Sequence, residues 1–372
     1  VLRSSWQTEN IGDIAHTPGM LALLERWQPQ AEVTLWPSRL IPAVEQLLLK
    51  RFPNLRLAQD PEAQQKALEA CDLFLHGSGP GLVGWRETQK AKDAGKPYII
   101  GGITLSDEEI RQHRELLGKA DYVFLRDTDS LRALQAAGVE GRMEFGPDAT
   151  FALDLHDDTA ALALLRRHGL EAGKFLCAVP RLRWTPYWEI RPGSVKPNPD
   201  RIAVNEKHAE KDHAKLRAGI IQWVRETGMK VLLVPEMTYQ VSRLRPLLYD
   251  PLPAEVKREV AVLDRYWLTA EAASVYARAA AVVSFEQHSP IMAIANGVPA
   301  VLLRQPTDTR KGQMWRDVGL NSWIFEIEET SGAQIAACLL EIARDAKAAR
   351  RRAVKARGYA QERMRAMIAA IG

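Results

Sequence analysis

Short apolar runs that stop at Gly, Asp or Ser and give way to helical periodicity recur along the chain. Leu73-Phe74-Leu75 leads into His76-Gly77-Ser78-Gly79-Pro80-Gly81, and Pro97-Tyr98-Ile99-Ile100 leads into Gly101-Gly102. Tyr122-Val123-Phe124-Leu125 leads into Arg126-Asp127-Thr128-Asp129-Ser130 and a helix from Leu131 to Ala137. Continuous apolar strands alternating with helices predict parallel sheets covered on both faces. The pattern pauses over residues 154–174 and restarts at Phe175-Leu176-Cys177-Ala178-Val179-Pro180. Strands are predicted again at 230–235, 281–284 and 299–303. Two α/β domains follow, joined near residues 155–174, with a long amphipathic helix from about Gln334 to Ile371 crossing back onto the first. Residues 184–214, rich in Trp, Pro, Lys and His, interrupt the regularity and read either as a binding lid or as a loose insertion.

The 372-residue length agrees with two domains, and 26% charged residues is ordinary for a globular chain. Net charge is +4, and the one dense basic run, Arg344 to Arg365, lies on the terminal helix among acidic residues. With no nucleic-acid reader motif beside it, nucleic acid is not an expected partner. Three cysteines stand far apart, and no CxxC, HxxxH or Cys/His cluster occurs, so buried thiols are expected and neither a disulfide, a metal site nor a cofactor. No run is long enough to span a bilayer. The chain opens on Val1, so an upstream targeting segment is expected to be missing. The compartment is open, with a soluble, cytoplasmic protein as the expectation.

In open α/β sheets ligands bind beyond the carboxyl ends of the strands, so polar residues just after strands are the candidates for chemistry. Asn10-Ile11-Gly12-Asp13 follows a strand at Leu2–Trp6 and precedes a helix at Gly19–Trp27. Gly12 would permit a tight turn and the helix amides an anion, or Asn10 and Asp13 serve only as caps. In His76-Gly77-Ser78-Gly79 the backbone amides could contact a phosphate or sugar, although the loop is neither a dinucleotide fingerprint nor a P-loop. Arg181 and Arg183 follow the first strand of the second domain and offer planar forks for carboxylate or phosphate. Arg304 to Gly312, including Lys311, is dense in cations and hydroxyls and reads as an anion site or a solvated turn. In Ser284-Phe285-Glu286-Gln287-His288-Ser289-Pro290, Ser289 is read as a helix cap with Pro290 at the first helical position. The helix start would favour a neutral His288, and Glu286 two positions earlier suggests a proton-handling pair.

Taken in order, these segments resemble the polysaccharide pyruvyl transferase family. Asn10-Ile11-Gly12-Asp13 is similar to its Asn-x-Gly-Asp turn, and Arg126-Asp127-Thr128-Asp129-Ser130 with Leu134 and Gly138 to its Arg-Asp-x-x-Ser segment. Pro147-Asp148-Ala149-Thr150-Phe151 resembles the Asp-x-x-Phe that follows, and His288, Ala293, Gly297 and Pro299 match its second-domain motif. The resemblance implies two Rossmann-like domains with a cleft between them, as in glycosyltransferase-B-like proteins. Residues 1–160 would form the acceptor side, 174–335 the donor side and 336–372 the returning helix. It further implies transfer of a pyruvyl group from phosphoenolpyruvate, or another anionic donor, to a glycan acceptor. Arg181 and Lys311 would hold the donor, His288 would be the acid and Asp13 the hydroxyl base. One position departs: family members carry arginine two residues before the histidine, and this chain has Glu286. Two alternatives therefore stand beside pyruvyl transfer. One is a nucleotide-sugar glycosyltransferase in which Glu286 binds sugar hydroxyls. The other is a non-catalytic carbohydrate-binding protein using Trp184, Tyr187, Trp188 and Trp267.

Overall fold

The computed structural model describes residues 1–371. Seven strands form the first sheet: β1 (Leu2–Ser4), β2 (Thr34–Pro37), β3 (Arg56–Leu57), β4 (Phe74–His76), β5 (Tyr98–Ile103), β6 (Tyr122–Leu125) and β7 (Met143–Phe145). Six form the second: β8 (Phe175–Val179), β9 (Lys230–Leu233), β10 (Val260–Val262), β11 (Ala281–Ser284), β12 (Ala300–Arg304) and β13 (Ile324–Glu326). The orders are β3-β2-β1-β4-β5-β6-β7 and β10-β9-β8-β11-β12-β13, and all neighbours are parallel. Each order reverses once, between β1 and β4 and between β8 and β11. These switch points leave a crevice outside the strand ends. The fold is α/β, two Rossmann-like sheets in the glycosyltransferase-B-like arrangement.

The central strands form for the reason their sequences suggest. Every residue of β8 is buried, as is every residue of β11, with Ala281 to Ser284 in register with Leu176 to Val179. Burying each Val, Leu or Phe in such a strand contributes about 1.5–3 kcal/mol, which outweighs the mediocre strand propensity of the alanines. Strands β2, β3, β7, β10 and β13 are additional to those predicted. They are two to four residues long and only partly buried, so they lack the long apolar run that marks a strand.

Three helices differ from expectation. The first helix spans Ile11–Trp27 and starts well before Gly19, because Asn10 caps it and burial of Ile11 to Leu24 overrides the Pro18 within it. Residues 199–214, expected as lid or loop, are the first half of a helix spanning Pro199–Thr227, capped by Asn198 and ended by Gly228 in the left-handed region. The terminal helix is two, Gly332–Arg344 and Ala346–Ala369. Asp345 breaks the run with a non-helical backbone and caps the second by accepting from the Ala348 N–H at 2.9 Å. This last helix packs on the Ile11–Trp27 helix, and Arg363 reaches Glu144 at 3.1 Å and the Phe145 carbonyl at 3.0 Å. Among the described residues, no helix is long and apolar enough to cross a membrane.

The halves are stitched at the crevice. Ile11 N–H donates to the Glu236 carbonyl at 3.0 Å and Thr238 N–H to the Glu9 carbonyl at 3.0 Å, so the loops after β1 and β9 pair backbone to backbone. Arg191, after the short helix Tyr187–Ile190, reaches Glu9 at 3.2 Å.

Candidate active site

Asn10 and Gly12 set the first wall. Asn10 Oδ1 accepts the Gly12 N–H at 2.7 Å and the Asp13 N–H at 3.4 Å, so its side chain is spent as a cap rather than left for a ligand. Gly12 is helical, which removes the expected tight turn. Its missing side chain serves another purpose: a methyl group there would overlap Cβ, Cγ and Nδ1 of His288. The second half of the molecule thus lays its histidine on the bare first turn of this helix. One turn on, the His16 ring meets the His288 ring edge to face, with centroids 5.0 Å apart.

His288 begins the helix His288–Ala295, where the cap residue is Gln287 and Ser289 is the second helical position. The expected Ser289 cap is replaced by a carboxylate from elsewhere. Glu236, just after β9, accepts from Ser289 N–H at 2.6 Å and from Ser289 Oγ at 2.7 Å. Its other oxygen lies 3.2 Å from His288 Nδ1. The carboxylate that His288 meets is therefore Glu236, and the expected Glu286–His288 pair is not formed. Burial would lower the His288 pKa, but the hydrogen bond and charge of Glu236, then Asp148 and Asp13, raise it above the ordinary value. This reverses the expectation of a neutral ring at a helix start, since three carboxylates outweigh half a charge of helix dipole. With Nδ1 engaged, Nε2 has no hydrogen-bond partner and lies 3.8 Å from Asp148 Oδ2.

Asp148 joins the motif segments that stand apart in sequence. Arg126 Nη1 donates to Asp148 Oδ2 at 2.6 Å, and His16 Nδ1 lies 3.1 Å from Asp148 Oδ1. Burial pushes the Asp148 pKa up, yet His16 and Arg126 hold it well below the usual carboxylate range. Asp13 accepts from Gln7 and stands 3.9 Å from His16 Nε2, on the same side of the crevice.

A second cluster gathers after β8, β11 and β12. Arg181 pairs with Asp308, and its Nε lies 3.4 Å from Glu286 Oε2. Glu286 Oε1 accepts from Gln240 Nε2 at 2.7 Å, while Gln240 Oε1 accepts the Glu236 N–H at 2.6 Å, so one amide ties the two clusters together. Burial raises the Glu286 pKa to about 7 against the pull of Arg181, and the nearby Glu236 adds to the rise. Lys311, lowered by burial and then by Arg181, has no carboxylate within ion-pair distance among the described residues.

Four expected binding features lie outside this constellation. Arg183 is committed to Asp212 through Nε at 2.9 Å and Nη2 at 3.0 Å, and to Glu328 at 2.8 Å. Arg304 pairs with Glu326 at 3.0 Å and donates to the Thr309 carbonyl at 3.3 Å, holding its own loop. His76 is sealed: Nε2 accepts the Gly84 N–H at 3.1 Å, Nδ1 faces the Gly77 carbonyl at 2.9 Å, and burial, then Arg3, lowers it to about 3. The amides of Gly77 and Gly79 donate to the carbonyls of Arg3 and Gly102, and a side chain at Gly79 would strike Trp6, so this loop closes on itself and has no free amides there for a phosphate. Ser78 does reach the site, with Oγ 3.1 Å from His16 Nδ1. Trp267, expected to stack on sugars, is core: it is 2% exposed and donates to the Pro235 carbonyl at 2.8 Å.

The polysaccharide pyruvyl transferase family model matches residues 10–305. The chain belongs to this family. No curated protein matches it at a significant level. Among solved structures it is similar to HepE of Anabaena in complex with UDP, at 14% identity and TM-score 0.58 over 99% of this chain and 97% of that one. It is also similar to MnaA of S. aureus with UDP, at 13% identity and TM-score 0.61 over 97% and 93%. UDP-GlcNAc 2-epimerase from Neisseria meningitidis bound to UDP-GlcNAc aligns at 9% identity and TM-score 0.59 over 100% and 99%. At these identities the likeness is one of fold. In this pyruvyl transferase family member, Glu236, Asp148, His16, Gln240 and Asp308 were absent from the residues expected at the site. Glu236 follows a strand that the apolar pattern had located, so its position alone was a usable signal. Asp148 and His16 lay within segments already marked, with nothing in the sequence to show that they meet.

Proposed function

We propose that this chain transfers the pyruvyl group of phosphoenolpyruvate to two hydroxyls of a glycan sugar as a ketal. The observation that carries this reading is the His288 ring, held at Nδ1 by Glu236 and raised in pKa, with Nε2 unpartnered and aimed across the crevice. An imidazolium in that position is a general acid. It gives its proton to the C3 methylene of the enol, and the cationic C2 is attacked by the first sugar hydroxyl, which loses its proton to Asp13. The C2–O bond to phosphate then breaks as the second hydroxyl adds. The second hydroxyl's proton leaves on the phosphate, and the first hydroxyl's proton passes from Asp13 back to His288, which resets both groups.

Arg181 and Lys311 hold the donor's anionic groups in this reading. Arg181 already faces Asp308 and Glu286, so a phosphate approaching it meets negative charge unless Glu286 is neutral. With a pKa of about 7 Glu286 gains a proton within the working range, and donor binding is accompanied by that proton.

A second reading rests on Glu286 itself. Its carboxylate, in place of a family arginine, suits the hydroxyls of a nucleotide sugar, and the fold relatives named above were solved with UDP or UDP-GlcNAc. A donor panel read by thermal shift separates the two. Stabilisation by phosphoenolpyruvate, followed by phosphate release when sugar acceptors are added, supports pyruvyl transfer. Stabilisation by UDP and none by phosphoenolpyruvate overturns it.

A further inference from the structure

The crevice holds an arrangement that pyruvyl transfer does not require. His16, Asp148 and His288 each bring one ligand atom into a group whose members lie within 4.8 Å of one another, and all three are buried. Both histidines are oriented through Nδ1. His288 Nδ1 faces Glu236 at 3.2 Å, and His16 Nδ1 faces Asp148 Oδ1 at 3.1 Å and Ser78 Oγ at 3.1 Å. A ring held at one nitrogen by a hydrogen bond presents the other as a lone pair, as metal-binding imidazoles do, and here the holders are Glu236 for His288 and Ser78 for His16. Both Nε2 atoms are buried without a hydrogen-bond partner. Such atoms normally find one, and these two belong to rings that meet edge to face.

Charge points the same way. Asp13 Oδ1 stands 3.9 Å from His16 Nε2 and Asp148 Oδ2 stands 3.8 Å from His288 Nε2. With Glu236, three carboxylates surround the pair against one guanidinium, Arg126. Two imidazoles with carboxylate oxygens suit first-row divalent transition metals better than calcium or magnesium.

We propose that His16 Nε2 and His288 Nε2, with carboxylate oxygens from Asp148 and Asp13, bind a divalent transition-metal cation such as Zn(II). The ligands come from three segments spread over both halves, with only Asp13 and His16 sharing a helix, so the sequence carries no complete ligand spacing. The site stands independently of the donor's identity. It also bears on the proposed reaction, because a cation on His288 Nε2 occupies the lone pair that the acid uses for its proton, so the loaded protein is an inhibited one.

The test uses the full chain with no donor or acceptor, titrated with Co(II) and, separately, dialysed against Zn(II). Expected are visible Co(II) d–d bands that saturate at an equimolar amount and are displaced by Zn(II). His16→Gln should abolish the bands, and Glu236→Gln, which frees the His288 ring, should weaken binding by about 10- to 100-fold. Circular dichroism of each variant establishes that it is folded before it is scored. Absence of bands in the folded wild type overturns the proposal, as does unchanged binding in either folded variant. A protein that binds cobalt as described yet ignores phosphoenolpyruvate would leave this site standing and remove only the donor.

Discussion

The imidazole of His288 rests against the Cα of Gly12, so closely that any side chain at position 12 would overlap the ring. Gly12→Ala should therefore expel His288 from its place between Glu236 and Asp148. Overpacking of this kind costs about 1–3 kcal/mol, visible as a lower midpoint in thermal or denaturant unfolding, with turnover falling far more than stability. Gly358→Ala is the control. That glycine lies in the terminal helix with nothing near it, and the substitution should stabilise by roughly 0.5–1 kcal/mol and leave turnover alone.

Glu236→Gln should shift the pH profile in one direction. Glu236 raises the His288 pKa, so its neutral replacement lowers it. The acid must be protonated to act, and the alkaline limb of kcat/KM therefore moves to lower pH. A limb that stays in place would show that His288 is not the titrating acid.

Glu286 carries a stability signature. Its folded pKa of about 7 lies above the ordinary carboxyl value, so its favourable contribution is complete below that ordinary value and lost as pH rises through about 7. Glu286→Gln does not ionise. The gap in unfolding free energy between variant and wild type should open over that interval in favour of the variant and reach a plateau on the order of 3 kcal/mol. The same substitution should flatten any fall in affinity for an anionic donor between pH 6 and pH 8, beyond what the donor's own titration explains.

Arg183→Ala tests whether an arginine after β8 is structural. Removing it strands buried Asp212 without its charge partner, at about 3–5 kcal/mol, while the donor KM of the protein that remains folded should be unchanged. A raised donor KM with normal stability would return Arg183 to the binding surface.

Sequence pattern alone located the strands with continuous apolar runs and the loops after them, because burial on both faces leaves a mark on every residue. The same logic marked Asp13, Arg181, Glu286, His288 and Lys311, which the fold brings to the crevice between the halves. It failed where a residue's role depends on its partner. Arg181 and Arg183 look alike in sequence, and only the position of Asp212 on the Pro199–Thr227 helix of the same half separates them. The Glu236–His288 contact joins residues 52 positions apart that follow different strands, and no local spacing encodes it. Gly12 was read through its backbone freedom, whereas its role is to leave room for a ring arriving from the other half.

Glu236 takes part in two attachments at once: its carbonyl accepts Ile11 N–H from the opposite half, and its carboxylate steadies the His288 ring. Any hinge motion wide enough to admit a bulky polymer must unfasten the first and so disturb the second. In the proposed reaction, readiness of the proton donor would thereby depend on closure.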